Sequence, residues 1–183
     1  MSFVYKTYTA VWLRPPKREF FQRHRSKLSR LILCDTRAVP DDAETARGRQ
    51  VMAEHVTAQG LTALAESMLP RLVAASPQND RTIADLRGKI LDNDPKMIAA
   101  VLRGLANRID ARPLLPQIDV PALLICGQQD AISPPAEMQQ IADQIPNAQF
   151  ASIASAGHMA PLEQPESVNR VIDEFLQKPI VPN

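Results

Sequence analysis

The chain has 183 residues, 45% of them hydrophobic, which is the size of one domain with enough apolar surface for a buried core. Its 21 Lys and Arg residues nearly balance 20 Asp and Glu residues, which excludes a global attraction to nucleic acid or to anionic membranes. No apolar run approaches the roughly 20 residues that span a bilayer, and the first residues lack the apolar stretch of a signal peptide, so a cytoplasmic location is predicted.

The start of the chain predicts a strand, a helix and a second strand. Residues 4–12 are rich in β-branched and aromatic types, which favours a strand, and Pro15-Pro16 ends it. A helix is predicted over about residues 17–30, because apolar residues recur there at helical spacing. The apolar run over residues 31–34 is too short for a helix and predicts a strand.

The middle of the chain predicts an all-helical insertion. Between Pro40 and Arg112 there is no Phe, Trp or Tyr, and Asp94-Pro95 is typical of a helix start. Aliphatic residues recur here at a spacing near 3.6, and the clearest examples are Leu61, Leu64, Met68, Met97, Val101 and Leu105. We interpret Met52, Met68 and Met97 as residues that pack the helices together.

The last third of the chain predicts alternating strands and helices. Strands are expected at Val120–Cys126 and Ala148–Ile153, with a helix between them whose N-cap is Ser133. A loop at residues 155–158 then leads to a final helix that begins at Pro165. Strands separated by helices predict a parallel sheet and an α/β fold.

Three segments of this last third resemble the C-terminal signature of the α/β-hydrolase family. They are the strand and turn VPALLICGQQD at residues 120–130, Gly157-His158, and Glu163-Gln164-Pro165-Glu166. The resemblance implies that Asp130 and His158 are the acid and the histidine of a Ser-Asp-His triad. Taken singly, Asp130 would be interpreted as a turn cap and His158 as a surface-loop residue.

The resemblance extends over about residues 18–177. Residues 28–37 are similar to the strand that follows the nucleophile helix, and Asp35 at its end is interpreted as a structural residue rather than a second catalytic acid. The implied organisation is a divergent segment (1–17), the hydrolase core (18–37 and 113–178), a helical cap (38–112) and a tail (179–183).

The chain departs from the family where the nucleophile should be. The elbow G-x-S-x-G is expected around Val11, yet residues 9–13 read Thr-Ala-Val-Trp-Leu, with neither the glycines nor a nucleophile. We therefore expect a frame-shifted or misassigned start, or a pseudoenzyme, and no esterase turnover by this chain alone. The resemblance also implies that only the last three of about eight strands are present. The edge of the strand at residues 31–34 is then expected to be covered by residues 4–12 or by self-association with another chain.

Within the family the chain most resembles the 3-oxoadipate enol-lactonase and carboxylesterase branch, which implies a small ester or lactone as substrate. The cap lacks the Trp of dehalogenases and the Tyr of epoxide hydrolases. No metal or organic cofactor is implied, because serine-type acyl transfer needs only a nucleophile, a proton shuttle and oxyanion donors. Cys34 and Cys126 each end an aliphatic run and are interpreted as core residues rather than metal ligands.

Two alternative hypotheses about function are also considered. A chain without a nucleophile is consistent with a non-catalytic remnant, a pseudoenzyme or an interaction module. The basic stretch between Arg14 and Arg30 also resembles a weak nucleic-acid patch, but no recognised nucleic-acid motif accompanies it. A solvated helix face is the preferred interpretation, so neither nucleic acid nor membrane is an expected partner.

Overall fold

The computed structural model describes residues 7–10, 28–75 and 80–179. Its strands are β1 (Thr7–Ala10), β2 (Arg30–Cys34), β3 (Ala122–Gly127) and β4 (Ala148–Ile153). Its α-helices are α1 (Ala43–Gln59), α2 (Thr62–Leu72), α3 (Asp80–Leu91), α4 (Pro95–Ala106), α5 (Pro135–Asp143), α6 (Ala160–Glu163) and α7 (Pro165–Gln177). A 3-10 helix at Arg112–Gln117 precedes β3. Among the described residues, no helix is long and apolar enough to cross a membrane.

The four strands form one parallel sheet in the order β1-β2-β3-β4. Leu31 of β2 pairs with Ala122 of β3, which in turn pairs with Ala148 of β4. All four strands therefore end at the same edge of the sheet. The prediction of an α/β fold with a parallel sheet and a helical insertion is confirmed.

Strand β3 is buried along its whole length because helices cover both faces of the sheet. Its side chains alternate, so Leu124 and Cys126 pack into one core cluster with Met138 of α5. Leu123 and Ile125 point to the other face and pack into a second cluster. That cluster also contains Ile32, Cys34, Val168 and Phe175. Both cysteines are core residues, as predicted.

The predicted N-terminal strand is present at Thr7–Ala10, where β1 pairs in parallel with β2. The rest of the predicted strand and the segment over residues 11–27, which includes most of the predicted helix, lie outside the described residues. The predicted C-terminal bound of that helix, near residue 30, is wrong, because Leu28 and Ser29 are not helical and Arg30 begins β2.

Arg30 is buried rather than solvated, which corrects its place in the predicted solvated helix face. Its guanidinium donates hydrogen bonds to the carbonyl oxygens of Phe175 (2.7 Å) and Lys178 at the end of α7. It also lies 5.3 Å from the centroid of the Phe175 ring. A cation on the last carbonyls of a helix opposes the negative end of its dipole, so Arg30 stabilises α7 against the sheet. The other basic residues of that stretch lie outside the described residues.

Helices α1 to α4 lie between β2 and β3 and form the predicted helical insertion, called the cap below. As predicted, Asp94 caps α4 and accepts a hydrogen bond from the Lys96 amide at 2.8 Å. The packing prediction for Met97 is wrong, because 48% of this residue is exposed. The buried stripe of α4 instead contains Ala99 and Leu102, which pack with residues of α1. Met52 and Met68 do pack in the cap, as predicted.

Candidate active site

The acid of the predicted pair lies in residues 127–133, which begin at the last residue of β3 and are called the acid loop below. One carboxylate oxygen of Asp130, Oδ1, accepts hydrogen bonds from the amides of Ile132 (2.7 Å) and Ser133 (2.9 Å). The amide of Asp130 in turn donates to the carbonyl of Gly127 at 3.1 Å. These contacts within the loop fix the carboxylate and leave Oδ2 to contact another element.

Ser133 does not cap the following helix, which corrects the sequence prediction. Helix α5 begins at Pro135, and its N-cap, Pro134, makes no side-chain hydrogen bond. The Ser133 hydroxyl instead donates to the carbonyl of Asp35 at the end of β2, at 3.2 Å. Ser133 therefore joins the acid loop to the neighbouring strand.

The histidine lies in the loop after β4, residues 154–159, called the histidine loop below. Nδ1 of His158 is 2.9 Å from Oδ2 of Asp130, and the two residues are 5% and 4% exposed. A buried carboxylate beside Nδ1 holds a proton on that nitrogen and leaves the lone pair of the neutral imidazole on Nε2. The structure thus brings together the two residues that the sequence singled out.

The two loops touch through their backbones at two glycines. The Gln129 amide donates to the Ala156 carbonyl at 2.8 Å. A Cβ atom built on Gly127 would lie 2.0 Å from the Gly157 carbonyl oxygen, and real atoms cannot approach so closely. The glycine of the G-x-x-D pattern is therefore required for the acid and histidine loops to meet.

Asp35 lies at the end of β2, beside the acid loop. It has a positive φ of 44°, and its Oδ1 accepts a hydrogen bond from the Gly127 amide at 3.2 Å. Burial raises the pKa of Asp35 to about 7, against the opposing effects of this hydrogen bond and of His158, and the nearby Asp130 carboxylate adds to the rise. These contacts fit the structural role that the sequence suggested.

Asp35, Cys126 and Asp130 each place a possible metal-ligating atom within 4.8 Å of the other two. The Cys126 thiol donates toward the Ser133 carbonyl at 3.2 Å, and burial raises its pKa, with Asp130 and Asp35 adding to the rise. A metal needs the thiolate, which this environment disfavours. The cluster therefore belongs to the packing beneath the acid loop.

The family model for the alpha/beta hydrolase fold matches residues 18–165. The chain belongs to the α/β-hydrolase family. A solved thermophilic esterase from Thermogutta terrifontis, with malate bound, is 44% identical and superimposes with a TM-score of 0.83, covering 86% of this chain and 59% of that chain.

Two curated relatives are similar over comparable spans. They are 3-oxoadipate enol-lactonase 2 of Acinetobacter baylyi, 25% identical over 83% of this chain, and a pimeloyl-[acyl-carrier protein] methyl ester esterase of Chromobacterium violaceum, 29% identical over 85%. The matches cover 56% of the lactonase and 63% of the methyl ester esterase. This α/β-hydrolase chain therefore spans less than two thirds of the relatives that it matches.

The expected nucleophile position in this α/β-hydrolase, Val11, lies outside the described residues. Strand β1 ends at Ala10, which pairs with Leu33 one residue before the end of β2. Since the strands are parallel, β1 leads toward the same edge of the sheet that carries Asp130 and His158. The carboxyl end of β1 therefore lies at that edge, and residues 9–13 hold no elbow in their sequence.

The sequence does not predict the part played by Glu163 or by the cap segment at residues 72–74. Glu163 belongs to a segment that resembles the family signature, but no spacing rule connects it with the cap. Its carboxylate accepts a hydrogen bond from the amide of Gly157 in the histidine loop and another from the amide of Ala74 in the cap. The histidine loop is therefore supported by Glu163, which is close in the sequence, and through it by the distant cap segment.

Proposed function

We propose that Asp130 and His158 are the acid and the general base of a Ser-Asp-His triad that hydrolyses small carboxylic esters or lactones. The observation that carries this proposal is the buried 2.9 Å contact between Nδ1 of His158 and Oδ2 of Asp130. The two residues follow consecutive parallel strands, which is where this family places its acid and histidine. We further propose that this chain is inactive alone, since residues 9–13 hold no nucleophile elbow.

In such a reaction, Nε2 of His158 takes the proton from a serine hydroxyl while the serine oxygen attacks the ester carbonyl. The imidazolium is stabilised by Asp130 and returns the proton to the leaving alcohol, or to the ring-opened oxygen of a lactone. Water then cleaves the acyl-enzyme by the same route. Asp130 and His158 supply the proton shuttle, whereas the serine and its oxyanion donors must come from a segment with an intact elbow.

The substrate class is supported by the relatives and by the cap. The named relatives are an esterase, an enol-lactonase and a methyl ester esterase, all of which act on carboxylic ester bonds. An apolar cluster of the cap, with Leu69, Leu72, Val73 and Leu86 at its centre, packs against Ile132 of the acid loop and Met159 of the histidine loop. An apolar environment beside the two loops favours an uncharged acyl group over a charged one.

A chimera tests this proposal directly. The part of the Thermogutta terrifontis esterase that ends with its nucleophile helix is joined to this chain from Leu28 onward, and hydrolysis of p-nitrophenyl acetate is measured. We expect no turnover above background from the chain alone and measurable turnover from the chimera. His158→Ala is expected to lower the chimera's rate by roughly a thousandfold or more.

The matched control is His55→Ala, because His55 is an exposed histidine of α1 and should leave the rate unchanged. A folded chimera whose rate is the same with and without His158 would rule out the proposed base. Turnover by the chain alone that disappears with His158→Ala would show that the inactivity proposal is wrong.

The alternative function is a non-catalytic one, as a remnant, a pseudoenzyme or an interaction module. It is favoured by the sequence at residues 9–13. Translating all three forward frames of the encoding DNA through and upstream of codon 19 separates the two possibilities. An elbow G-x-S-x-G that runs into Phe20-Phe21 in another frame would favour the hydrolase, and its absence from every frame would favour the alternative.

A further inference from the structure

The carboxylate of Glu163 joins two backbone segments that are far apart in the sequence. Its Oε1 accepts a hydrogen bond from the amide of Gly157 at 2.8 Å, and its Oε2 accepts one from the amide of Ala74 at 2.7 Å. Gly157 immediately precedes His158, whereas Ala74 lies in the cap, just after α2. One side chain thus holds the histidine loop and the cap together.

The two segments are in direct backbone contact at this point. A Cβ atom built on Gly157 would lie 2.6 Å from the Ala74 nitrogen and 2.7 Å from the Val73 carbonyl carbon. On the other side of His158, the amide of Met159 donates to the Leu72 carbonyl at 2.9 Å. The histidine is therefore flanked by Gly157, which lies against the cap segment 72–74, and by Met159, which is hydrogen-bonded to it.

The chemistry of this junction requires a group with two acceptors. The amides of Gly157 and Ala74 are neighbouring donors, and two donors cannot satisfy each other. A carboxylate accepts both bonds, one on each oxygen, and charge strengthens them. Glu163 reaches this position from the end of α6, which begins two residues after His158. Its neighbour Gln164 adds a weaker bond to the Ser155 carbonyl at 3.3 Å.

We infer that Glu163 is a positioning residue, whose carboxylate fixes the orientation of His158 by binding the histidine loop to the cap segment 72–74. The inference rests on the proposed role of His158, which it deepens. It implies that the cap segment 72–74 helps to hold the imidazole in place against Asp130. The cap segment and the imidazole then move together.

Nuclear magnetic resonance and hydrogen exchange on the full chain test this role without measuring turnover. In Glu163→Ala, the amides of Gly157 and Ala74 lose their acceptors, and we expect their exchange to accelerate about tenfold or more relative to the unmodified chain. The Nδ1 proton of His158 is expected to give a downfield signal in the unmodified chain at pH 7. In Glu163→Ala this signal should broaden or disappear, because the imidazole no longer stays aligned with Asp130.

Two controls separate positioning from a general loss of stability. Glu166→Gln changes an exposed carboxylate in the first turn of α7 and should leave exchange and the His158 signal unchanged. Val56→Ala removes buried methyl groups between α1 and α4, so it should lower the melting temperature without changing the His158 signal. If Glu163→Ala does not fold, Glu163→Gln is measured instead, since it keeps one acceptor oxygen and should expose only one of the two amides.

The inference is overturned if the His158 signal and the exchange of Gly157 are unchanged in the Glu163 variant. It is equally overturned if Val56→Ala, at the same loss of melting temperature, alters the His158 signal to the same extent. Neither outcome depends on a nucleophile. A failure here is therefore distinct from a failure of the proposed triad, which would appear as a chimera whose turnover does not need His158.

Discussion

The acid loop and the histidine loop carry the two site residues, but different parts of the chain hold them in place. In the acid loop, Asp130 accepts hydrogen bonds from the amides two and three residues ahead of it. In the histidine loop, the Gly157 amide donates to the Glu163 carboxylate. The Met159 amide donates to the carbonyl of Leu72, which belongs to the cap. The carboxylate of the acid is therefore held by local contacts, whereas the position of the histidine depends on contacts with the cap segment 72–74.

This difference suggests how the site responds to damage. Perturbing the cap segment 72–74 should misalign His158 before it disturbs Asp130, since the amides of Ile132 and Ser133 hold the Asp130 carboxylate from within the acid loop. Perturbing the sheet edge beneath the acid loop should affect both residues, since Gly127 and Gly157 are in contact there. Three substitutions test this comparison, and they are given from the largest expected effect to the smallest.

Gly127→Ala should have the largest effect, because the added Cβ would disrupt the backbone contact between the acid loop and the histidine loop. The added Cβ would lie 2.0 Å from the Gly157 carbonyl oxygen and 2.5 Å from that of Ala156, so the backbones must separate. We expect the free energy of unfolding to fall by about 3 kcal/mol or more, which lowers the melting temperature by roughly 6–12 °C. The melting temperature is measured by monitoring circular dichroism during thermal unfolding.

The control for this substitution is Gly88→Ala, on the exposed side of α3, where nothing lies within 4 Å of the added atom. Alanine is the better helix former, so stability should rise by about 0.5–1 kcal/mol. Equal melting temperatures for Gly127→Ala and the unmodified chain would show that the loops do not depend on this close approach.

Asp35→Asn should have an intermediate effect that depends on pH. The titratable groups around Asp35 are Cys34, Cys126, Asp130 and His158. The pKa of Asp35 is about 7 in the folded protein and about 3.9 when unfolded, so the fold holds its proton more tightly. Asp35 therefore stabilises the fold fully below about pH 4, and this contribution is lost as pH rises through about 7.

Asparagine cannot ionise, tolerates a positive φ and keeps an acceptor for the Gly127 amide. We expect the substitution to raise stability at pH 8 by about 2 kcal/mol, roughly half of the full linkage value, because Asp35 is partly exposed to solvent. Chemical denaturation between pH 4 and pH 8 measures the difference. Asp85→Asn, at an exposed position of α3, is the control and should leave the pH profile unchanged. A profile for Asp35→Asn that parallels the unmodified chain would contradict the prediction.

Ser133→Ala should have the smallest effect and isolates the local nature of the acid loop. It removes the hydroxyl that donates to the Asp35 carbonyl but leaves the Ser133 amide bonded to Asp130. We expect a loss of about 1 kcal/mol and an unchanged His158 Nδ1 signal, in contrast to Glu163→Ala. Ser67→Ala, on the exposed surface of α2, should change stability by less than about 0.5 kcal/mol. A lost His158 signal in Ser133→Ala would mean that the acid loop is not held by its own amides alone.

Much of this arrangement was predictable from spacing along the chain. Strand β4 was predicted at its observed bounds, and β3 and α7 were predicted close to theirs, because burial on one or both faces imposes a regular apolar pattern. The pairing of Asp130 with His158 followed from the resemblance to α/β-hydrolases, and the geometry agrees with it. Boundaries between core and cap at residues 38 and 112 stay predictions.

The amino-acid sequence by itself determined which segments become strands and helices, and which two polar residues follow consecutive strands of the sheet. Only the tertiary structure decided that Arg30 is buried against α7, that Ser133 bonds to Asp35 and that Glu163 joins the histidine loop to the cap. The partners in these three contacts are separated by 145, 98 and 89 residues along the chain. Periodicity reports how each segment faces the core, but a hydrogen bond between distant segments has no repeat in the sequence, so it exists only once the chain has folded.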